Sequence, residues 1–293
     1  MPTGRISHRP KLLSATQLSL FPALLVGFCA AVAASQAPPP PNQTAQGVIP
    51  DAPQPQAALL AANTQTREVS LRDLPRNFFS DQGAIWTGPV RLRPHDLKWV
   101  MPLALATGAA IATDHRAMQV VSQDGAFNNA NVTASNALIG GFIAVPVALL
   151  ASGHFQQDDH ASEAGILTGE SMLDSVVVEE VLKQAFRRER PNVDDARGKF
   201  FQGNMGLDSS FPSSHSLIAW SAASSFAGEY RSPWVQIAAY SGATAVSLTR
   251  VLGREHFPSD VVVGACLGWL IGHYVVEKHH RPLKTLIARR SDP

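Results

Sequence analysis

From residue 99 onward, apolar residues gather into segments of helical length, separated by joints that contain polar residues, glycine or proline. The alternation of apolar and polar positions that is typical of strands does not recur along this part of the sequence. Glycine and proline at the joints favour helix ends there. Six helices in about 180 residues predict an all-α fold of the six-helix bundle kind. The predicted helices cover residues 99–113, 137–152, 163–188, 214–228, 234–251 and 258–277.

The last predicted helix has a face made of glycines. Gly264, Gly268 and Gly272 recur at every fourth residue, so they fall on one side of a helix. Bare backbone on that side lets a second helix approach closely. We therefore expect this helix to pack tightly against a neighbour.

The segments that flank the bundle have a different composition. Residues 1–36 place arginine and lysine before an uncharged, mostly apolar core at 18–34, followed by small residues, which predicts a signal peptide. An uncleaved anchor is the alternative, because a membrane span needs at least about 17 residues. Residues 37–67 are rich in proline, glutamine and alanine and are predicted to be a disordered linker. The helical domain is expected over 68–281, and 282–293 form a basic tail.

Composition narrows the classes of partner. Of the 293 residues, 45% are hydrophobic and only 16% are charged, below the quarter that is usual for soluble domains. A net charge of +1 favours no nucleic-acid partner. Cys29 lies in the predicted signal segment, so Cys266 is expected to have no partner for an intrachain disulfide. Metal sites built on cysteine are excluded for the same reason.

The sequence gives opposing indications about a membrane. Most apolar runs are about 15 residues long, short of the roughly 20 that cross a bilayer, and residues 163–188 carry many charges, which are costly in lipid. The low charge content and the glycine face favour a membrane. Residues 68–98 contain three prolines and are expected to be irregular, lying outside the bundle or along a membrane surface. We expect a soluble or peripheral bundle, with an integral one as the alternative.

Two cations end the third predicted helix. Lys183 and Arg190 are seven residues apart, about two turns, so both are expected on one helix face. Glu179 precedes Lys183 by four residues, a spacing at which its carboxylate can hold the ammonium group. Arg187 and Arg188 are interpreted as solvated surface charges.

The fourth predicted helix opens with the sequence Pro212, Ser213, Ser214, His215. Proline suits the first helical turn, and the two serines offer hydroxyls and free backbone N–H groups there. Such a helix start is an anion site, although a simple helix cap would look the same. His215 is placed to give a proton to a leaving oxygen.

The last helix is preceded by a third polar stretch. Arg250 and His256 come before it, and Asp260 falls in its first turn after Pro258, where the helix dipole favours a carboxylate. Asp260 is four residues from His256 and is expected to orient its ring. A histidine placed in this way can attack or protonate a phosphoryl group.

In this order and spacing, the three stretches resemble the type 2 phosphatidic acid phosphatase superfamily, which also holds bacterial class A non-specific acid phosphatases and vanadium haloperoxidases. The resemblance covers residues 174–272 in its motifs. Ser214 stands where the family usually has glycine, so a side chain projects near the phosphate. Thr249 stands where the family usually has serine and keeps the hydroxyl.

The resemblance implies a role for each residue of the motifs. His256 is the nucleophile and forms a phosphohistidine, Asp260 supports its ring, and His215 is the general acid and then the base. Three cations offset the phosphate charge, so neither metal nor cofactor is expected, and vanadate is expected to inhibit. The implied phosphate-binding residues are Lys183, Arg190, Ser213, Ser214 and Arg250.

The function expected from this resemblance is that of an exported, metal-independent phosphatase. Its substrate is expected to be a phosphorylated lipid, such as phosphatidate or a polyprenyl (pyro)phosphate, or a small soluble phosphomonoester. The alternatives are a vanadate-dependent haloperoxidase, a soluble non-specific acid phosphatase and a non-catalytic binding module. The expected location is the periplasm or a membrane, with the active site outside the cytoplasm.

Overall fold

The computed structural model describes residues 69–203 and 208–279, and these residues form α-helices, short 3₁₀ turns and loops, without strands. The predicted all-α fold class is confirmed. The predicted signal segment 1–36, linker 37–67 and tail 282–293 lie outside the described residues. The α-helices are α1 (Leu74–Thr87), α2 (Leu97–Val120), α3 (Gly125–Gln156), α4 (Asp159–Phe186), α5 (Ser214–Glu229), α6 (Pro233–Leu252) and α7 (Pro258–His279).

Several helices differ in extent from their predicted bounds. Residues 68–98 are not irregular throughout, because they contain the 14-residue helix α1. Helix α3 is 32 residues long and begins well before the predicted residue 137. Its start is fixed by Asp124, whose side chain accepts a hydrogen bond from the Phe127 N–H at 2.8 Å. The first third of α3 is polar, so a prediction based on apolar runs does not include it in the helix.

Helix α4 is shorter than predicted at the end that matters for the site. It stops at Phe186, and Arg187 takes the left-handed conformation with φ 38°, donating its N–H to the Lys183 carbonyl at 3.0 Å. Arg190 therefore lies in the loop after the helix. The prediction that Lys183 and Arg190 share one helix face is wrong.

The closest helix pair is α5 against α7, and glycine makes it possible. A Cβ added at Gly268 would lie 2.2 Å from the Leu217 carbonyl oxygen, and one at Gly272 would lie 2.3 Å from that of Ser221. The prediction of a close helix approach at the glycine face is confirmed. The start of α5 is thereby held beside the start of α7.

The other helices surround this pair. Helix α4 packs against α5 and α7, and α3 and α6 pack against each other and against α5, with α3 also covering α4. Helix α1 lies on α4, and α2 lies on α7. The core between α4, α5 and α7 is formed by Leu167, Val178, Leu217, Ile271 and Val275.

Two of the described helices, α3 and α7, are long and apolar enough to cross a membrane by length and composition. They differ in what covers them. In the most apolar part of α7, 61% of the residues are buried inside the protein, which is typical of a core helix, against 17% in α3. Helix α3 therefore presents an uncovered apolar surface.

The glycine face predicts a sharp cost for one added methyl group. Gly268→Ala should lower the free energy of unfolding by about 1–3 kcal/mol, because the backbone of α5 must move away. Gly140→Ala is the matched control, since an added Cβ there meets nothing within 4 Å. In denaturant unfolding, the control should keep or raise the midpoint. Equal midpoints for the two variants would contradict the account of α5 and α7.

Candidate active site

Lys183, near the end of α4, is the first cation of the site. Its side chain is buried, and its ammonium lies 2.8 Å from Glu179 Oε1 and donates to Ser214 Oγ at 2.7 Å. The Ser214 hydroxyl in turn donates to Glu179 at 2.7 Å. The side chain that replaces the family's glycine is therefore engaged with Lys183 and Glu179, and these contacts fix the ammonium at the start of α5.

The two arginines converge on a carboxylate. Arg190 Nη1 lies 2.6 Å from Glu255 Oε2, and Arg250 Nη2 lies 3.3 Å from the same oxygen. The backbone also holds Arg190, whose Nε donates to the Asp208 carbonyl at 3.1 Å. A carboxylate oxygen shared by two guanidinium groups marks a position that favours anions.

The start of α5 supplies two further groups. The backbone N–H of Ser213 donates to the Asp260 carbonyl at 3.1 Å. The buried Ser213 hydroxyl has no hydrogen-bond partner within the described residues. His215 Nε2 lies 3.0 Å from the side-chain oxygen of Asn136 on α3. The helix start thus presents a hydroxyl and an imidazole beside the cations.

His256 is buried and has a defined tautomer. Its Nδ1 lies 2.7 Å from the Ser210 carbonyl oxygen, which only accepts hydrogen bonds, so Nδ1 carries the proton. Nε2 then holds a lone pair. Asp260 Oδ2 lies 3.8 Å from Nδ1, beyond a hydrogen bond. In this structure, the Ser210 carbonyl orients the ring, and Asp260 holds the surrounding loop.

The interpretation of Arg188 as a solvated surface charge is wrong. Its side chain is 1% exposed and bridges Asp260 Oδ1 at 2.5 Å and Asp114 Oδ2 at 2.7 Å. Its guanidinium also lies over the ring of Phe257, 4.1 Å from the centroid. The left-handed turn at Arg187 directs the side chain of Arg188 inward. A continuous helix through this segment would place that side chain elsewhere, so the sequence pattern predicts the wrong position.

Asp260 is held by three donors. Besides Arg188, the Ser210 hydroxyl lies 2.5 Å from its Oδ2, and the Phe257 N–H donates to the same oxygen at 2.9 Å. Ser210 thus contacts Asp260 through its hydroxyl and His256 through its carbonyl. This single residue transmits the position of the carboxylate to the imidazole.

Burial and the neighbouring cations keep both histidines neutral. Burial, and then the charges of Arg250, Lys183 and Arg190, lower the pKa of His215 to about 3. Burial and the same three cations hold the pKa of His256 well below its usual range. The cations repel one another as well, since burial and Arg190 lower the pKa of Arg250 to about 10. An anion bound here would relieve this repulsion.

The predicted site residues come together in the fold. Three cations from α4, the following loop and the end of α6 act on the two histidines, and Ser213, Ser214 and Asp260 join them through the contacts above. Sequence reasoning missed Glu255, Ser210, Asp114 and Asn136. Glu255 directly precedes His256, a signal that was available, whereas Asp114 and Asn136 come from distant helices without a motif.

Chemically, the site offers two neutral imidazoles and a field of three cations. The fold is all-α, and three cations converge on one position in it. Residues 164–283 match the family model described as the PAP2 superfamily.

Two individual proteins are similar to parts of the chain. The chain is 37% identical over 81 residues to the lipid A 1-phosphatase of Porphyromonas gingivalis, an alignment that covers 26% of this chain and 18% of that protein. The chain thus matches less than a fifth of the relative's length. A solved structure of a transmembrane PAP2 type phosphatidylglycerolphosphate phosphatase from Bacillus subtilis is 19% identical, with a TM-score of 0.44, covering 75% of this chain and 96% of that one.

The neutral state of His215 predicts a pH dependence of stability. Below its ordinary pKa of 6.5, the unfolded chain takes up a proton on His215 that the folded protein refuses down to a pKa of about 3. Stability is therefore lost as the pH falls through this window, by at most about 1.4 kcal/mol per pH unit. His215→Asn should show a shallower loss between pH 7 and 4.5 in denaturant unfolding.

The matched control is His154→Asn, which replaces an exposed histidine on α3. Its stability should follow the wild type across the same pH range. A His215→Asn variant with an unchanged slope would show that His215 takes up its proton equally in both states.

Proposed function

We propose that the protein is a metal-independent phosphatase that acts through a phosphohistidine on His256. The observation that carries this proposal is the protonated Nδ1 of a buried His256, which leaves Nε2 with its lone pair beside three cations. A neutral imidazole is the reactive form of a histidine nucleophile. A site that only bound phosphate would need the cations but no neutral imidazole beside them.

In the first step, His256 Nε2 attacks phosphorus and the bond from phosphorus to the leaving oxygen breaks. His215 gives its proton to that oxygen, so an alcohol departs. Binding of the phosphate dianion raises the pKa of His215, because its negative charge offsets the cations that keep the imidazole neutral. Substrate binding therefore prepares the general acid.

In the second step, water attacks the phosphohistidine and His215 accepts its proton. The P–N bond breaks, inorganic phosphate leaves, and His256 returns to its starting tautomer. Asn136, at 3.0 Å from His215 Nε2, holds that ring in place between the two proton transfers. Acid–base groups of this kind contribute about 10²–10⁴-fold in rate.

The cations stabilise the transition state. For this to happen, the Glu255 carboxylate must leave its position between the two arginines. Lys183, Arg190 and Arg250 surround a group whose charge spreads over three oxygens as the bond breaks. The oxygen of Glu255 that the two arginines share is replaced by a phosphoryl oxygen. Three positive charges supply the stabilisation that a metal ion gives in other phosphatases.

We further propose a lipid phosphate as the substrate and a membrane as the location, with the active site outside the cytoplasm. The relative aligned over 81 residues is named for its action on lipid A. An apolar groove of about 440 Å³ between α3, α5 and α6 begins at Leu138, two residues after Asn136. Apolar chains of a substrate fit beside the site there, and only 17% of the most apolar part of α3 is buried inside the protein.

Hydrolysis by the purified full chain tests the activity. With EDTA present, we expect release of phosphate from p-nitrophenyl phosphate and faster release from phosphatidate in mixed micelles, with inhibition by vanadate. His256→Ala should lose at least about 10³-fold in rate, because the nucleophile is gone. His154→Asn, at an exposed position near the end of α3 and 18 residues beyond Asn136, serves as the control for folding.

Halide oxidation that depends on added vanadate, without phosphate release, would instead establish a haloperoxidase. A soluble phosphomonoester hydrolysed faster than any lipid phosphate would contradict the proposed substrate class.

Extraction of membranes with alkaline carbonate tests the location. The uncovered apolar face of α3 predicts that the protein stays with the membrane pellet, since the hydrophobic contact survives high pH. Release into the supernatant, as for a protein bound by charges alone, would contradict this expectation. A marker protein bound by charges is the control in the same extraction.

A further inference from the structure

Three buried carboxylates lie together away from the candidate active site. Asp81 belongs to α1, and Glu170 and Asp174 belong to the middle of α4. Lys278 and His279, in the last turn of α7, face the same cluster. The candidate active site lies at the other end of α7, a distance of about 28 Å at the rise of a helix.

Three of these groups have the spacing of metal ligands. His279 Nε2 lies 2.9 Å from Asp81 Oδ2 and 3.7 Å from Glu170 Oε1, and one ligand atom from each residue lies within 4.8 Å of the others. Ligand atoms about 2.1 Å from a tetrahedral ion are about 3.4 Å apart. The Tyr274 hydroxyl also faces Asp81, at 3.4 Å.

Glu170 gives a second, independent indication that a cation binds in this cluster. Its side chain is fully buried, and neither of its oxygens accepts a hydrogen bond of normal geometry within the described residues, although Asn77 approaches it. Asp174 Oδ2 is unsatisfied as well, while its Oδ1 accepts from Gln82 at 2.8 Å. Buried carboxylates without donors are costly unless a cation or a proton balances them.

Among the described residues, Lys278 is the cation in contact with these three buried carboxylates, beside His279. Lys278 is paired with Asp81. A divalent cation together with Lys278 would carry three positive charges against three carboxylates, with a neutral His279.

We propose that Asp81, Glu170 and His279 bind a divalent transition-metal ion, with Zn²⁺ as the ion that fits best. One imidazole and two carboxylates form a donor set that suits Zn²⁺ better than Mg²⁺, which prefers oxygen ligands alone. The ion joins α1, α4 and α7. Its effect falls on stability, and the reaction at His256 proceeds without it.

Binding and unfolding of the purified full chain test this site without any assay of activity. After removal of metals with EDTA and dialysis, isothermal titration with Zn²⁺ should give one tight site per chain. Thermal unfolding should shift upward by about 5 °C or more at saturating Zn²⁺, with a smaller shift for Mn²⁺ and none for Mg²⁺.

Glu170→Gln is the diagnostic variant. It removes a buried negative charge, so without metal it should unfold at the wild-type temperature or higher, yet Zn²⁺ should no longer shift it. Glu180→Gln is the matched control on the same helix, where the carboxylate accepts from Gln184, and it should respond to Zn²⁺ as the wild type does. His279→Ala provides a second variant that should also lose the response.

Two results would overturn the proposal. One is a wild-type protein that neither binds Zn²⁺ stoichiometrically nor gains stability from it. The other is a Glu170→Gln or His279→Ala protein that keeps the whole Zn²⁺ response, which would place the ion on other histidines.

Discussion

The buried guanidinium of Arg188 is the interaction on which the site depends. It joins a carboxylate of α2, Asp114, to one of α7, Asp260, from a loop that follows α4. Removing three charged groups from water costs several kcal/mol for each ion. That cost is offset only when all partners are present, and Ser259 and the Phe257 ring complete the set. The cluster therefore has one arrangement. That arrangement fixes the position of the loop that contains His256.

The packing of α5 against α7 links this buried cluster to the residues at the start of α5. The glycine face of α7 brings the backbone of α5 close, and the Ser213 N–H then meets the Asp260 carbonyl. Ser210 connects the same carboxylate to His256 through its two oxygens. Burial and the charges of Lys183, Arg190 and Arg250 keep both histidines neutral, and the same three cations make this side of the site favourable for an anion.

The local parts of this picture could be predicted from the sequence, and the non-local parts could not. Motif spacing singled out two histidines and three cations that the fold brings together, and a four-residue repeat identified the glycine face. Helical periodicity misplaced Arg188, because a single left-handed residue at Arg187 reverses which way the next side chain points. The long α3 was missed because its first third is polar. The carboxylate cluster around Glu170 gave no signal, since its residues come from three distant helices and share no motif.

Substitution of Arg188 by lysine tests the central claim most directly. Lysine keeps the charge but lacks the planar fork that bridges two carboxylates. If Arg188 positions His256 without touching phosphate, kcat for p-nitrophenyl phosphate should fall at least about tenfold, corrected for the folded fraction. The dissociation constant of inorganic phosphate should stay within about twofold of the wild type. Weaker phosphate binding with an unchanged kcat would instead make Arg188 a phosphate ligand and contradict the account.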